Sequence, residues 1–476
     1  MLGERLQQYG AGELSHASFA RHVRADLRNT LRLCPIRFQT APPAREGSNT
    51  LGKVALLCCD LEPRQQRFLL TGAGNGAVTL WDTAHADYPA AKPPTSGGRQ
   101  SAAGAAASVL PPLLRLPRAH RFACTAVSWY PDGGGLFFSA SVDGTVRGFD
   151  AHSQPIAGSR DSAIHFTVAS GAKVTCLSLP RQSSALHGLV AAGTHDGKVV
   201  LFDPGAGGGT HTLVGHRDTA LALAWIPGSE WLLATAGADS TLRLWDVRRS
   251  GTLHMFDVQH TTADAGSYGG ADGDKHDADD GDGMARQLAT AHDGSIVALA
   301  PSPDGRLLFT SATDGRLRAW CVRTGLHVGT HFACDDVRIA SGTQAGRPSN
   351  WGANASRMAS GLAVTSDGEC IYRPVLDGHA VGLSFPGAVQ CFSTATGECT
   401  RRLTGGHAAI VRNLAVRGES GEVFTVSQDG RMLAWTTGRA YMPDDNAQVV
   451  TRANTDAWSD DEQEHHRGPR MQYSAS

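Results

Sequence analysis

The chain has 476 residues, 41% of them hydrophobic, and a formal net charge of −2 at pH 7. This near balance of charge disfavours strong direct binding to nucleic acid, which requires a strongly basic face. The sequence lacks a run of about 18 apolar residues and an apolar stretch near its N-terminus, so we expect neither a membrane span nor a secretory signal.

The first predicted element is an amphipathic helix over residues 15–33, after a short helix over residues 4–9. Ser15 is suited to cap the longer helix, and Pro35 bounds its end. Its apolar residues recur at every fourth position and are Phe19, Val23, Leu27 and Leu31. Two roles stay open for this helix: packing on the chain's own body, or insertion into a groove of a partner.

One short phrase then recurs six times, a turn followed by a strand that ends in Trp or Phe. An Asp or Asn opens each turn six residues before the aromatic. Dipeptides such as AspGly favour tight turns, and the alternating apolar residues after them, for example Leu242 and Leu244, predict half-buried strands. The phrases span residues 75–82, 143–150, 196–203, 239–246, 314–320 and 429–435.

Two further residue types keep a fixed distance from these turns. A His precedes the Asp by 22 or 23 residues in four repeats, and a Thr or Ser precedes the Asp or Asn by four in all repeats but the third, which has Ala192. Phe149 and Phe202 replace Trp in two repeats and donate no hydrogen bond, so we expect shorter networks in those repeats. The complete sets are His216, Thr235, Asp239 and Trp245; His292, Thr310, Asp314 and Trp320; and His407, Thr425, Asp429 and Trp435.

The spacing of His, Thr, Asp and Trp resembles that of the WD-repeat propeller family, over about residues 36–437. The resemblance implies that each set is a structural tetrad, a buried hydrogen-bonded chain in which the Trp N–H finds an acceptor. A hydrolytic triad with Thr as the nucleophile is the alternative interpretation. A nucleophile site occurs once, however, whereas these sets recur at equal spacing.

The long gap before the last phrase requires one degenerate repeat. Residues 361–375 and 387–403 each predict two strands, with Phe392 at the aromatic position. We therefore predict an all-β, seven-bladed WD-repeat β-propeller over residues 36–440, preceded by an N-terminal helical motif over residues 1–35.

Four segments lie outside the repeats. Their composition offers too little apolar burial to offset the entropy of ordering them. Residues 261–283 are rich in Asp and Gly, as a Ca²⁺ loop is, but they lack the closing Glu of an EF-hand. We predict disordered insertions at residues 84–112, 261–283 and 341–357, and a disordered acidic tail at residues 441–476.

No motif predicts catalysis or a cofactor. The ten cysteines show no paired CxxC spacing, which disfavours a structural zinc site and a disulfide scaffold. Nucleotide-binding and metalloprotease motifs are missing as well. We therefore expect a protein that is not an enzyme and that holds no metal and no cofactor.

A second resemblance depends on the WDVRR sequence at residues 245–249. Substrate receptors of cullin-4 RING ubiquitin ligases carry such a WDxR box, and in that family the Arg contacts the damage-specific DNA-binding adaptor subunit. By resemblance this role falls to Arg248, since a guanidinium binds carboxylates and carbonyls bidentately. An ordinary solvated loop Arg is the competing interpretation.

The stretches 125–150, 216–251 and 456–464 resemble the Cockayne syndrome group A family of WD-repeat DNA excision repair proteins. The resemblance implies a nuclear substrate receptor of a cullin-4 RING ligase in transcription-coupled nucleotide excision repair. Residues 1–35, as a helix-loop-helix segment, and Arg248 would dock on the adaptor. The other propeller face would recruit a Cockayne syndrome B-type ATPase at a stalled RNA polymerase II. The alternative is a general WD-repeat interaction scaffold outside ubiquitin ligases.

Overall fold

A computed structural model describes residues 32–34, 37–38, 54–83, 109–131, 134–152, 164–181, 188–205, 208–249, 251–258, 290–332, 334, 361–375, 387–418 and 420–436. These residues form strands, turns and loops, and no helix occurs among them. The strands build seven four-stranded antiparallel sheets and one two-stranded parallel sheet.

In each of the first six blades, the four strands lie side by side in the sheet in the order in which they occur along the chain. Blade one has β3 (Leu56–Leu61), β4 (Phe68–Ala73), β5 (Val78–Asp82) and β7 (Leu114–Leu116); blade two β8 (Cys124–Trp129), β9 (Leu136–Ser141), β10 (Thr145–Asp150) and β11 (Ile164–Ala169); blade three β12 (Val174–Ser178), β13 (Val190–Thr194), β14 (Lys198–Asp203) and β15 (Gly208–Val214). Blade four has β16 (Ala220–Trp225), β17 (Leu232–Gly237), β18 (Leu242–Asp246) and β19 (Thr252–Phe256); blade five β20 (Ile296–Pro301), β21 (Leu307–Ala312), β22 (Leu317–Cys321) and β23 (His327–Val328); blade six β24 (Ala363–Val364), β25 (Cys370–Pro374), β26 (Gly387–Ser393) and β27 (Cys399–His407).

Blade seven joins the two ends of the described chain. Its inner strands are β28 (Val411–Val416), β29 (Val423–Ser427) and β30 (Met432–Thr436), and its outer strand is β1 (Arg32–Cys34). In this pairing Leu33 lies opposite Trp435. The first strands of successive blades contact one another in order, and β28 contacts β3, so the ring is closed. The predicted seven-bladed all-β propeller is confirmed, including the degenerate sixth blade with Phe392 on β26.

Two predicted boundaries were wrong. Arg32–Cys34 were predicted to belong to the helix over residues 15–33 and to the helical segment 1–35, but they form a strand. They are extended because pairing with the open edge of β30 satisfies backbone groups of both strands. The insertion predicted over residues 84–112 includes β6 (Val109–Leu110), which pairs in parallel with β2 (Arg37–Phe38).

The other predicted disordered segments, residues 84–108, 261–283, 341–357 and 441–476, lie outside the described residues, as do residues 1–31.

The apolar core is divided among the seams between blades. Seven larger buried clusters each join one pair of neighbouring blades around the ring. A small eighth cluster, Leu221 with Val297, adds to the seam between blades four and five. In the seam between blades three and four, for example, Leu201 and Leu233 pack in one cluster with Trp245. A blade is thus buried on both faces, which is why strands predicted to be half-buried, such as β18, are almost wholly covered.

The predicted turns are also present. In blade two the Asp143 carboxylate accepts a hydrogen bond from the Thr145 backbone N–H at 3.0 Å, and Gly144 has a positive φ of 80°. In blade four the same turn position holds Ser240 at a φ of 64°. The turn chemistry places the Asp side chain beside the end of the neighbouring loop, where the His lies.

Candidate functional site

The complete tetrad of blade four forms one continuous hydrogen-bonded chain. His216 lies in the loop before β16, Thr235 on β17, Asp239 in the turn after β17, and Trp245 on β18. His216 Nδ1 is 3.1 Å from Asp239 Oδ1, and its Nε2 is 2.7 Å from Thr235 Oγ1. Trp245 Nε1 donates to Thr235 Oγ1 at 2.8 Å. The network assigns the His216 proton to Nδ1, so that Nε2 accepts from the Thr235 hydroxyl.

Blade five repeats this geometry and blade seven varies it. In blade five His292 lies 3.0 Å from Asp314 and 2.7 Å from Thr310, to which Trp320 donates at 2.9 Å.

In blade seven His407 Nε2 is 2.7 Å from Thr425 Oγ1, and Trp435 donates to the same hydroxyl at 3.0 Å. His407 Nδ1 is 3.6 Å from Asp429 Oδ1, which is beyond hydrogen-bonding distance. The structure therefore brings the four side chains together in blades four and five, with a looser His–Asp contact in blade seven.

Blades one and two carry shorter networks. In blade two His120 bonds to Ser139 at 2.7 Å and to Asp143 at 3.1 Å, and the chain stops there because Phe149 has no donor. In blade one Trp81 donates to Thr71 at 2.9 Å. The expectation of a shorter network where Phe replaces Trp holds in blade two.

The surroundings of the tetrads shift the pKa values of their Asp and His side chains. Burial acts to raise the pKa of Asp239, but hydrogen bonds from His216 and from the Arg217 backbone N–H outweigh it and hold the pKa at about 2. Asp314 behaves in the same way, also with a pKa of about 2. Burial lowers the pKa of His292, despite the neighbouring carboxylate. In blade five a neutral His292 imidazole therefore bridges the ionised Asp314 carboxylate and the Thr310 hydroxyl.

This arrangement leaves the hydroxyl no access to a substrate. Thr235, Thr310 and Thr425 have no solvent exposure. Each hydroxyl accepts from a Trp and bonds to a His, so its hydrogen-bonding groups are already engaged. The geometry favours the structural interpretation of the tetrads over a hydrolytic triad.

Two supporting positions were missed in the sequence although their spacing is regular. An Arg lies four residues after the turn Asp in blades two, four and five. Arg147 donates to the Ala119 backbone carbonyl at 2.8 Å, and Arg318 donates to the carbonyl of Ala291. Both carbonyls belong to the residue before the tetrad His, so these arginines hold the His loop. The second position is Thr241, whose hydroxyl is 3.0 Å from His216 Nδ1.

The loops divide between two faces of the ring because neighbouring strands are antiparallel. The loops with the tetrad His and the turns with the tetrad Asp meet at one face, here called the tetrad face. The loops between the first and second strands and between the third and fourth strands of each blade lie at the opposite face. Arg248 is in the β18–β19 loop, where the Val247 N–H donates to the Trp231 carbonyl at 3.0 Å.

Arg248 is exposed at the opposite face and is held there by two neighbours. Its Nε and its second terminal nitrogen donate to the two Asp246 carboxylate oxygens at 3.0 and 2.8 Å, and its guanidinium lies 5.6 Å from the Trp231 ring centroid. The Arg248 side chain is 57% exposed, whereas that of Asp246 is 8% exposed. Hydrogen bonds from Arg248 lower the pKa of Asp246. The site thus presents a positioned guanidinium to solvent.

The other predicted adaptor-contact residues, Phe19, Val23, Leu27 and Leu31, lie outside the described residues. Within the part of the chain that the structure describes, no group of His, Cys, Asp or Glu side chains is arranged to hold a metal ion. The nine cysteines whose side chains the structure describes are free thiols. None of these described residues belongs to a helix long and apolar enough to cross a membrane.

Comparison with known proteins identifies the repeat. It also gives one relative that is similar along the whole chain and others that are similar over less than half of it. Residues 112–150, 208–246 and 285–321 match the WD domain, G-beta repeat family. The chain is 24% identical to the WD repeat-containing protein ATCSA-1 of Arabidopsis thaliana, over 96% of this chain and 100% of that protein. It is 28% identical to the ribosome biogenesis protein YTM1 of Yarrowia lipolytica, over 42% and 43% of the two chains. It is also 28% identical to the WD repeat-containing protein slp1 of Schizosaccharomyces pombe, over 36% and 40%.

Proposed function

We propose that this seven-bladed WD-repeat propeller is the substrate-recognition subunit of a cullin-4 RING E3 ubiquitin ligase acting in transcription-coupled nucleotide excision repair. Its role is to bring a substrate to the ligase, and ubiquitin transfer belongs to the recruited E2 enzyme. The contribution of such a subunit is proximity and effective concentration.

The observation that carries the proposal is the geometry of Arg248. Asp246 holds the guanidinium from one edge and Trp231 lies beside it, so little side-chain entropy is left to lose when a partner binds. The exposed part of the guanidinium suits a carbonyl or carboxylate of the adaptor. Arg323 occupies the same position in blade five, but there Cys321 replaces the Asp, so that loop lacks the carboxylate clamp.

The relatives support this reading to different extents. ATCSA-1, whose name carries the abbreviation of Cockayne syndrome group A, is similar along its entire length. The YTM1 and slp1 similarities cover less than half of each chain. They support the second candidate, a general WD-repeat scaffold outside ubiquitin ligases, for example one in ribosome biogenesis. Co-purification of the ligase adaptor separates the two candidates.

The partners follow from the proposal. Arg248 and the segment before β1, which contains Phe19, Val23, Leu27 and Leu31, would bind the damage-specific DNA-binding adaptor subunit. The tetrad face would recruit a Cockayne syndrome B-type ATPase at a stalled RNA polymerase II. We place this activity in the nucleus.

The first test measures binding of the purified chain to the adaptor. The Arg248→Ala variant is expected to bind about 30-fold more weakly, because truncating an interface hot spot costs about 2 kcal/mol. The matched control is Arg323→Ala, which removes an exposed Arg from the same loop position of blade five and should bind like the unaltered chain. Equal binding by Arg248→Ala and the unaltered chain would remove Arg248 from the interface.

A truncation in the same assay tests the N-terminal segment. Deleting residues 1–31 retains β1 and with it the outer strand of blade seven. We expect loss of adaptor binding with an unchanged circular dichroism spectrum. Loss of the β-sheet signal would instead indicate that this segment packs on its own propeller.

A further inference from the structure

The residue after the tetrad His differs in charge from blade to blade on the tetrad face. In blades two and four it is an exposed arginine, Arg121 and Arg217. In blade five it is Asp293, whose carboxylate pairs with Arg316 at 2.8 Å, and in blade seven it is Ala408. The equivalent rim positions are therefore basic in one part of the ring and neutralised or apolar in another.

The buried His–Asp networks of blades two and four hold the two rim arginines by their backbone. Arg121 N–H donates to Asp143 Oδ2 at 3.1 Å, and Arg217 N–H donates to Asp239 Oδ2 at 3.0 Å. The same carboxylates are bonded to the tetrad His rings. Each arginine thus starts from a fixed backbone position while its side chain stays exposed.

Hydrogen bonds connect these two loops through blade three. Thr125 Oγ1 donates to the Val174 carbonyl at 3.1 Å, and His195 N–H donates to the Lys173 carbonyl at 2.9 Å. Thr219 Oγ1 in turn is 2.8 Å from His195 Nδ1. Lys173, which is exposed, therefore lies along the rim between the two arginine loops.

Few carboxylates counter this charge. Lys198 pairs with Asp196 at 2.8 Å, and Asp218 is an exposed carboxylate that accepts from the Thr219 N–H. Blade seven adds a separate exposed cation, Arg431. Within the described part of blades two to four, the exposed cations of the tetrad face that form no ion pair are Arg118, Arg121, Lys173 and Arg217.

An exposed aromatic side chain lies in the same rim. Phe122 is 52% exposed, and the Arg121 guanidinium lies 5.6 Å from the centroid of its ring. An exposed ring beside a cation can anchor an apolar side chain while the charges meet carboxylates.

From this arrangement we infer that the rim of blades two to four, centred on Arg121, Phe122, Lys173 and Arg217, is a docking site for an acidic peptide segment of a partner protein that carries an apolar side chain. The inference rests on the proposed function in one respect: it assigns the recruited protein to the face away from Arg248.

The same observations favour a peptide over a nucleic acid. The guanidinium of Arg121 lies beside the Phe122 ring, so the ring is not a bare platform for base stacking. Asp218 and Asp196 lie on the same rim, and the chain carries a net charge of −2. A phosphate backbone requires a more continuous cationic track.

The test uses fluorescence anisotropy with the full chain and a fluorescein-labelled peptide in which runs of Glu flank a Leu. The control peptide has Gln at every Glu. We expect the acidic peptide to bind at least about tenfold more tightly than its control, with affinity falling as salt rises. The Arg121→Glu/Arg217→Glu variant should lose at least about tenfold in affinity, and Phe122→Ala about threefold.

Two matched variants keep the outcome interpretable. Arg306→Glu/Arg323→Glu makes the same change in net charge at the opposite face and should leave peptide binding unchanged. Arg121→Gln/Arg217→Gln should also weaken binding, and its circular dichroism spectrum should match that of the unaltered chain.

Equal binding of the Glu and Gln peptides would overturn the inference. So would unaltered peptide affinity in both Arg121/Arg217 variants, or tighter binding of a single-stranded oligonucleotide of equal charge than of the acidic peptide. Adaptor binding reports separately on the proposed function, because it depends on Arg248 and should survive Arg121→Glu/Arg217→Glu.

Discussion

Blade four and blade six have the same four-stranded fold but are stabilised differently. Thr235 in blade four bonds within its own blade, to His216 and Trp245. At the same register position blade six has Arg373, whose Nε donates at 2.8 Å to Ser311 Oγ of blade five. The aromatic position holds Phe392, which packs edge-on against Phe332 at a centroid distance of 6.1 Å.

The difference separates two roles that the tetrad combines. A blade can form without a tetrad, as blade six does with seam packing and the Arg373–Ser311 hydrogen bond. The tetrad additionally connects the His loop to the next turn, and through Asp239 it holds the backbone of Arg217. We infer that tetrads determine where the rim residues of the tetrad face lie, whereas the seams supply most of the stability.

The largest effects are expected from truncating the aromatic of either blade. Trp245 and Phe392 are both buried, so Trp245→Ala and Phe392→Ala should each lower the free energy of unfolding by about 3–5 kcal/mol. Urea denaturation followed by circular dichroism measures the change. A much smaller loss for Phe392→Ala than for Trp245→Ala would show that blade six contributes little to the ring.

A smaller effect should separate stability from rim geometry. Asp239→Ala leaves buried donors without their acceptor and should cost about 1–3 kcal/mol, as should Asp314→Ala in blade five. Only Asp239→Ala releases the backbone of an unpaired rim arginine, so it should also weaken acidic-peptide binding. Equal peptide affinity in the two variants would contradict the idea that tetrads position the rim.

The smallest effect near neutral pH concerns protonation. Burial holds the pKa of His292 below its usual value of 6.5. The unfolded chain therefore takes up this proton at a higher pH than the folded chain, and the free energy of unfolding declines as pH falls through 6.5.

The pKa of Asp239 is held at about 2, below 3.8. Its contribution to the free energy of unfolding is therefore complete above about pH 4 and is lost as pH falls toward 2. Asp239→Ala should therefore lose less stability than the unaltered chain over this interval, measured by urea denaturation at each pH.

Much of the ring could be predicted because each blade repeats a local pattern. The AspGly turns and the alternating strands depend on neighbours close in sequence, and even blade six was recognisable from its strands and Phe392. The tetrads were predictable because four residue types recur at equal spacing. The supporting arginines, such as Arg147 and Arg318, were missed, although they too recur at a fixed distance from the Asp.

The sets of tetrad residues and the Arg that follows Trp245 and Asp246 could be read from the sequence alone, because each lies within one repeat, and counting the repeats gives the number of blades. The folded ring alone shows which strand closes blade seven, since β1 and β30 meet across almost the whole propeller sequence. It also shows that Asp246 and Trp231 hold Arg248, and that the exposed cations of three blades share one rim. These facts depend on contacts between distant segments, which become neighbours only when the ring closes.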